Sequence, residues 1–297
     1  MKKLLLIVNP RAGQRKVGKQ LLAIIDIFNR ADYEVIAHVT ASSGDCENTV
    51  MRYASQISLV VCCGGDGTFN ETISGVLRSG CDIPVGYIPA GSTNDFAHSL
   101  GLSTKILQAA RDIVDGTAFR FDVGTFSGRH FSYVASFGAF TRTSYSTPQS
   151  IKNALGHLAY VLSGIREISQ IKRHHLRFEL ADGTVVEDDF IFGAVSNSTC
   201  VGGVLTLAPD RVDMSDGLLE VMLIRAPKNL KELTDCLVSL RKHTYNCAMI
   251  TFLSTSSAIV TAPKDMDWTL DGEQQNGMEH IDIQCVHQKL QLLCKRG

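Results

Sequence analysis

Residues 57–71 read ISLVVCCGGDGTFNE: an apolar run, Ile57 to Cys63, followed at once by a cluster of three glycines around one carboxylate. A continuous apolar run of this length fits a parallel strand covered on both faces. The residues after the cluster, from about Phe69 to Leu77, have helical spacing. A strand that hands over to a helix through glycines marks the carboxyl edge of an open α/β sheet, where such folds bind their ligands. The stretch is therefore either a tight turn or a phosphate site.

Working outward, the same alternation recurs. Leu4 to Val8 is an apolar strand, Val17 to Phe28 an amphipathic helix, Tyr33 to Thr40 a second strand and Cys46 to Ala54 a short helix. Pro84 to Ile88 is a fourth strand, and helical sequence follows it through Ile106 to Val114. Repeated βαβ units predict a parallel sheet with right-handed crossovers. From about residue 120 the texture changes to β-rich pieces broken by turns, including an Asp182-Gly183 pair that signals a hairpin. Two helical stretches, Ile151 to Ile171 and Leu230 to Lys242, interrupt it. The expected architecture is α/β: a parallel α/β domain over residues 1–124 and an antiparallel β-rich domain over 125–285. The tail, about 286–297, packs back onto the first domain.

Bulk properties narrow the function. With 29 basic and 30 acidic residues among 297, the formal charge is −1, so no global field attracts nucleic acid or an anionic membrane. Nine scattered cysteines without zinc-ligand spacing read as reduced cytosolic thiols. No apolar stretch approaches the roughly 18–20 residues of a membrane span. MKKLLLIVNP reads as a first strand rather than a signal peptide, because its apolar run is short and meets Asn-Pro. A cytoplasmic protein that at most touches the inner face of a membrane is expected.

The glycines acquire a chemical meaning from their neighbours. Gly64, Gly65 and Gly67 let backbone N–H groups approach a ligand where a Cβ would clash, and the positive end of the following helix points to the same place. Asp66 beside a phosphate is repulsive unless a cation lies between them, so its natural role is to hold Mg²⁺, directly or through water. Thr68 and Asn70 add side-chain donors. Two further polar loops, NPRAG (Asn9 to Gly13) and PAGSTND (Pro89 to Asp95), end the first and fourth strands on the same edge. An ordinary turn explains each alone, and three together point to a shared ligand. No GxxxxGK[ST], GxGxxG or protein-kinase HRD and DFG set is present, so a nucleotide must be held another way.

NPRAG, GGDGTFNE, PAGSTNDFA, FDVG and, near the C-terminus, TLDGE resemble in order and spacing the motifs of the soluble diacylglycerol kinase-like lipid kinases, the superfamily that includes sphingosine and ceramide kinases. Ser92 stands where that family usually has Thr, which keeps the hydroxyl. The resemblance implies a phosphofructokinase-like N-terminal domain, a C-terminal β-sandwich, and ATP in a cleft between them. It implies nucleotide contacts from Asn9, Pro10, Arg11, Ala12, Gly13, Thr40, Gly64, Gly65, Asp66, Gly67, Thr68, Phe69, Asn70 and Thr93. Asp66, Asp95 and Asp122 would form a carboxylate and water network around a catalytic Mg²⁺, and Glu273 would take the proton of a lipid hydroxyl with Asp271 nearby. Asp213, Asp216 and the carbonyl of Leu218 would hold a second, structural Mg²⁺.

The expected partner is a lipid alcohol at a membrane surface, with no nucleic acid. The segment 151–171, with its basic end Lys172, Arg173, His174 and His175, reads as a core-packed helix ahead of a lipid-docking one. An exposed edge strand could pair two subunits. Two other functions compete with lipid kinase. NAD kinase also uses GGDGT, but the PAGSTNDFA loop and LDGE turn favour the lipid branch. A non-catalytic nucleotide-binding regulator requires a broken site, and the aspartates and Glu273 are all in place.

Overall fold

Strand β1 (Lys2–Val8) is buried from Leu4 onward and lies between two parallel neighbours, β2 (Tyr33–Val39) and β3 (Leu59–Gly64). The computed structural model of the chain describes residues 1–12, 16–138, 172–198, 200–201, 205–206, 212–242 and 244–295. The expected helix at 151–171, its apolar face, and Gly13 lie outside the described residues. Contacts divide the chain into two units, 1–123 with 287–297, and 124–286.

In the first unit, β3 pairs in parallel with β4 (Val85–Pro89), and Leu292 near the end of the last strand pairs with Val85. The strand order is thus β2-β1-β3-β4, with the chain leaving β1 toward one side and returning to its other side. Among the described residues the α-helices of this unit are α1 (Lys16–Arg30), α2 (Asp45–Tyr53), α3 (Asp66–Ser79), α4 (Asp95–Ser99) and α5 (Ile106–Val114). The core under α1 and α5 joins Leu4, Leu6, Ile24, Phe28, Val61, Ile88 and Ile113. The helical sequence expected to run from the PAGSTND loop to Val114 is two helices, because Gly101 sits at φ +64° and breaks the run. α3 begins at Asp66, three residues before its expected start, so Asp66, Gly67 and Thr68 form its first turn.

Strand β5 (Thr117–Phe126) crosses the boundary at residue 123 and leads into the second unit. There follow β6 (Arg129–Phe131), β7 (Val134–Gly138), β8 (His174–Leu180), β9 (Val185–Ser196), and a two-residue pair, β10 (Cys200–Val201) with β11 (Leu205–Thr206). Then come β12 (Leu219–Arg225), the helix Leu230–Arg241, β13 (Ile250–Thr255), β14 (Ser257–Thr261), β15 (Trp268–Leu270), β16 (Glu273–Gln275) and β17 (His280–Cys294). Pairing within the unit is antiparallel, and β9 is central, with partners β7, β8 and β12. Its apolar core gathers Phe126, Phe131, Phe137, Phe178, Phe190, Val221 and Trp268. The Asp182-Gly183 hairpin joins β8 to β9, with Gly183 at φ +84°. His174 and His175 belong to β8 rather than to a basic helix end, and His175 is held by Asp189 and Glu187 across the ladder. Among the described residues no helix is long and apolar enough to cross a membrane.

Candidate active site

The strand order of the first unit places the ends of β1 and β3 at a switch point, the crevice where open α/β sheets hold ligands. Asn9 follows β1; its amide Nδ2 donates to Thr68 Oγ1 (2.9 Å) and its backbone N–H to Cys63 O (3.0 Å). Its Oδ1 accepts the N–H of Arg11 (2.9 Å), which folds the NPRAG loop back on itself. Thr40, at the end of β2, donates its backbone N–H to Val8 O (2.9 Å). The three strand ends are therefore stitched together next to α3.

The first turn of α3 has no side-chain cap. Its opening N–H groups, on Asp66, Gly67 and Thr68, have no intrahelical acceptors and form a ready anion site. The glycines before it are also explained by packing. A Cβ on Gly64 would sit 2.6 Å from Thr68 Cβ, and one on Gly91 would sit 2.6 Å from Gly65 Cα. The loops after β3 and β4 thus touch backbone to backbone, a contact that only glycine allows.

Asp66 is the joint between those loops. Its Oδ2 accepts from Thr93 Oγ1 (3.3 Å) and Asp95 N (3.2 Å), and its Oδ1 from Phe96 N (3.3 Å). It therefore caps α4 from another element. Burial pushes its carboxyl above the usual range, and the hydrogen bonds from Asp95, Phe96 and Thr93 pull the other way. Asn94, absent from the expected contacts, closes the same loop from a left-handed φ of +53°. Its Oδ1 accepts Gly91 N (2.8 Å) and its Nδ2 donates to Gly91 O (3.1 Å). An Asn two residues beyond a Gly-Ser pair was the available signal, since Asn tolerates this conformation.

Phe69 is a correction. Its ring is fully buried, stacked on Tyr87 (centroids 4.4 Å) and tilted against Phe96 (4.5 Å), and its N–H is spent on Gly65 O (3.0 Å). It anchors α3 in the core and has no group to offer a nucleotide. Cys46 and Cys63 are buried thiols, pushed by desolvation to about 12, and are inert as nucleophiles.

Asp122, in β5, is fully buried; its Oδ1 accepts from His287 Nδ1 (3.0 Å) and Gln288 N (2.7 Å) of β17. Among the described residues no three His, Cys, Asp or Glu side chains gather into a metal-holding group. The donor set fits a triphosphate on bare amides. It fits Mg²⁺ only as an ion that keeps its waters and uses substrate phosphates with one or two carboxylates, the usual manner for this cation.

In the second unit the TLDGE motif is a two-residue hairpin between β15 and β16. Asp271 (φ +49°) and Gly272 (φ +84°) fill its centre, the signature of a type I′ turn. Asp271 is buried. Its Oδ2 accepts from Ser132 N (2.6 Å) and Ser132 Oγ (2.8 Å), and its Oδ1 from Tyr133 N and Val134 N (both 3.0 Å). Burial raises its pKa, and these four bonds oppose the rise. Asp271 holds the turn. Glu273 is exposed, with Oε2 2.7 Å from Arg129 Nη2. Arg129, the first residue of β6, carried no signal in the sequence beyond its place at the start of a β-rich piece.

Asp213 and Asp216 cap their own loop: Asp213 Oδ1 accepts Ser215 N (3.0 Å) and Ser215 Oγ (2.7 Å), and Asp216 Oδ1 accepts Leu218 N (2.9 Å). Turn geometry accounts for one oxygen of each.

Comparison with known proteins agrees with this arrangement. Residues 3–126 match the diacylglycerol kinase catalytic domain, and residues 134–294 match the YegS C-terminal NAD kinase beta sandwich-like domain. A diacylglycerol kinase of Bacillus subtilis (strain 168) is 30% identical over 275 residues, which cover 92% of this chain and 90% of that protein. The chain belongs to the diacylglycerol kinase family. Another family member, a diacylglycerol kinase of Staphylococcus aureus (strain MRSA252), is 28% identical over 289 residues, covering 94% of this chain and 90% of that one. A crystal structure of a Bacillus anthracis str. Sterne protein assigned as a diacylglycerol kinase superposes with a TM-score of 0.81 at 25% identity, covering 99% and 95% of the two chains. Membership makes the chain a kinase of the lipid kinase class, and the parallel first unit with an antiparallel second is the family's domain pair.

Proposed function

We propose that the chain transfers the γ-phosphoryl group of ATP to the hydroxyl of diacylglycerol or a similar lipid alcohol at a membrane surface, giving phosphatidic acid or its equivalent. The observation that carries this reading is the uncapped first turn of α3 at the β1/β3 switch point, in a chain of this family. The N–H groups of Asp66, Gly67 and Thr68, with Asn9 and the Pro10–Gly13 loop, would hold the phosphates; Thr40, Asn70 and Thr93 would flank them. Phosphoryl transfer has a loose transition state, so positioning and charge neutralisation supply most of the catalysis. Mg²⁺, when bound, would neutralise charge on the phosphate oxygens, with Asp66, Asp95 and Asp122 oriented toward it through water. Asp66 also keeps the two glycine loops in contact. Glu273 would accept the proton of the lipid hydroxyl, which a carboxylate can do because that proton leaves late. Asp213, Asp216 and Leu218 O would take a second Mg²⁺ away from the reaction.

The test is incubation with labelled ATP and Mg²⁺ against diacylglycerol, ceramide, sphingosine, undecaprenol and NAD, with products identified by mass. A phosphorylated lipid is expected. Phosphorylation of NAD alone would move the chain to the NAD kinase reading, which the name of the matched C-terminal domain keeps in the comparison. No product with a protein that still binds ATP would make it a regulator.

A further inference from the structure

We propose that Arg129 is the positioning residue of the proton acceptor: it holds the Glu273 carboxylate by one oxygen and leaves the other for the acceptor hydroxyl. The inference rests on the reading of Glu273 as base.

The backbone of Glu273 is rigidly placed. It is the first residue of β16, directly after the type I′ turn, and the turn is pinned by the four hydrogen bonds from residues 132–134 to Asp271. Backbone order does not orient the side chain. A glutamate has three rotatable bonds, and that of Glu273 is 53% exposed, so unrestrained it would spread over many rotamers. Arg129 removes that freedom. Its Nη2 meets Glu273 Oε2 at 2.7 Å, and its Nη1 donates to Gln275 Oε1 at 3.0 Å. Glu273 and Gln275 are two apart on one strand and share a face, so a planar guanidinium spans both. Among the described residues Glu273 Oε1 has no hydrogen-bond partner. One short stretch, 129–134, thus grips the catalytic turn twice: by its backbone through Asp271 and by its side chain through Arg129.

A surface ion pair of this exposure contributes little to folding. That makes the role separable, because the kinetic effect should appear without a stability effect.

The experiment compares the full chain with R129A, R129K, E273Q and R129A/E273Q, using ATP, Mg²⁺ and diacylglycerol in mixed micelles. R129A should lower kcat by up to about 10²-fold, the scale of a reacting group displaced by about 1 Å, with KM for ATP and Tm unchanged. R129K keeps the charge but not the fork and should recover part of the rate. In the E273Q background R129A should have no further effect on residual turnover. R129A at the wild-type rate, or an equal loss in both backgrounds, would overturn the role of Arg129 while leaving the base assignment standing. Wild-type turnover in E273Q would reject the base assignment and this inference with it.

Discussion

Asp66 Oδ2 accepts a hydrogen bond from Thr93 Oγ1 at 3.3 Å, so the first turn of α3 is tied to the loop that precedes α4. Two N–H groups, of Asp95 and Phe96, complete the tie. Removing the hydroxyl alone, in Thr93→Val, should cost about 1 kcal/mol, the net worth of one hydrogen bond. Asp66→Asn is worse, because an amide NH₂ would face N–H donors, and about 2–3 kcal/mol is expected. Denaturant unfolding measures both, and ATP titration should show the affinity falling in the same order. An Asp66→Asn variant as stable as the parent would exclude the clamp.

The approach of Gly91 to Gly65 gives a steric prediction. Alanine at 91 would put its Cβ 2.6 Å from Gly65 Cα, and neither backbone can yield without moving one of the two glycine loops. Gly91→Ala should therefore lower Tm and weaken ATP binding together. Gly18, inside α1, is the control: a Cβ there meets nothing within 4 Å. Gly18→Ala should stabilise the chain by about 0.5–1 kcal/mol, the helix-interior difference between the two residues. Equal effects of both substitutions on ATP binding would refute the contact.

Glu273 and Asp271 are two residues apart and should fail in different ways. Glu273→Gln should keep its fold and ATP affinity and lose turnover by about 10²–10⁴-fold, the usual share of a general base. Asp271→Asn puts an NH₂ against buried N–H donors and should cost about 2–3 kcal/mol of stability before any kinetic effect is read. Circular dichroism melts and single-turnover assays separate the two. Turnover near normal in Glu273→Gln would remove it from the chemistry.

The loop at 213–218 offers a metal-dependent test. One oxygen of Asp213 and one of Asp216 cap the turn, so the double alanine variant should lose about 1 kcal/mol per cap whatever the ion content. If the remaining oxygens and Leu218 O take Mg²⁺, adding the ion without nucleotide should raise the parent's Tm by mass action and leave the variant's unchanged. A parent Tm independent of Mg²⁺ would confine these residues to the turn.

Much of this was legible in the residues because local chemistry and fold agree. The apolar runs Leu4 to Val8 and Leu59 to Cys63 are strands buried on both faces, as their short length and flanking turns suggest, and LDGE turns as Asp-Gly dictates. What escaped was every role that depends on a partner remote in sequence. The motif that carries Phe69 does not show its ring to be core; packing against Tyr87 and Phe96 does. Asp66 also joins α3 to the loop before α4 through the N–H groups of Asp95 and Phe96, 29 and 30 residues away, a second role that the motif alone does not show. Arg129 lies 144 residues from Glu273 in sequence, and no spacing rule could have joined them.

His175 lies between Asp189 Oδ1 (3.1 Å) and Glu187 Oε1 (3.3 Å) on the exposed β8–β9 ladder, and Arg177 holds the other oxygen of Glu187. The hydrogen bonds to Asp189, then Glu187, raise the imidazole pKa, while those from Arg177, then His175, lower that of Glu187. The two signs bound a window. The histidine's contribution is complete below its unfolded value, near 6.5, and is lost as pH rises through the higher folded one. The glutamate's contribution is complete above its unfolded value, near 4.3, and is lost as pH falls through the lower folded one. The parent should therefore gain most over His175→Gln between about pH 4.5 and 6.5. The gain should fade toward pH 8 and shrink in high salt, because the groups are exposed. Urea unfolding of both proteins from pH 4 to 9 reads the difference directly; a gap that is constant across that range would show that the imidazole titrates alike in the folded and unfolded chain.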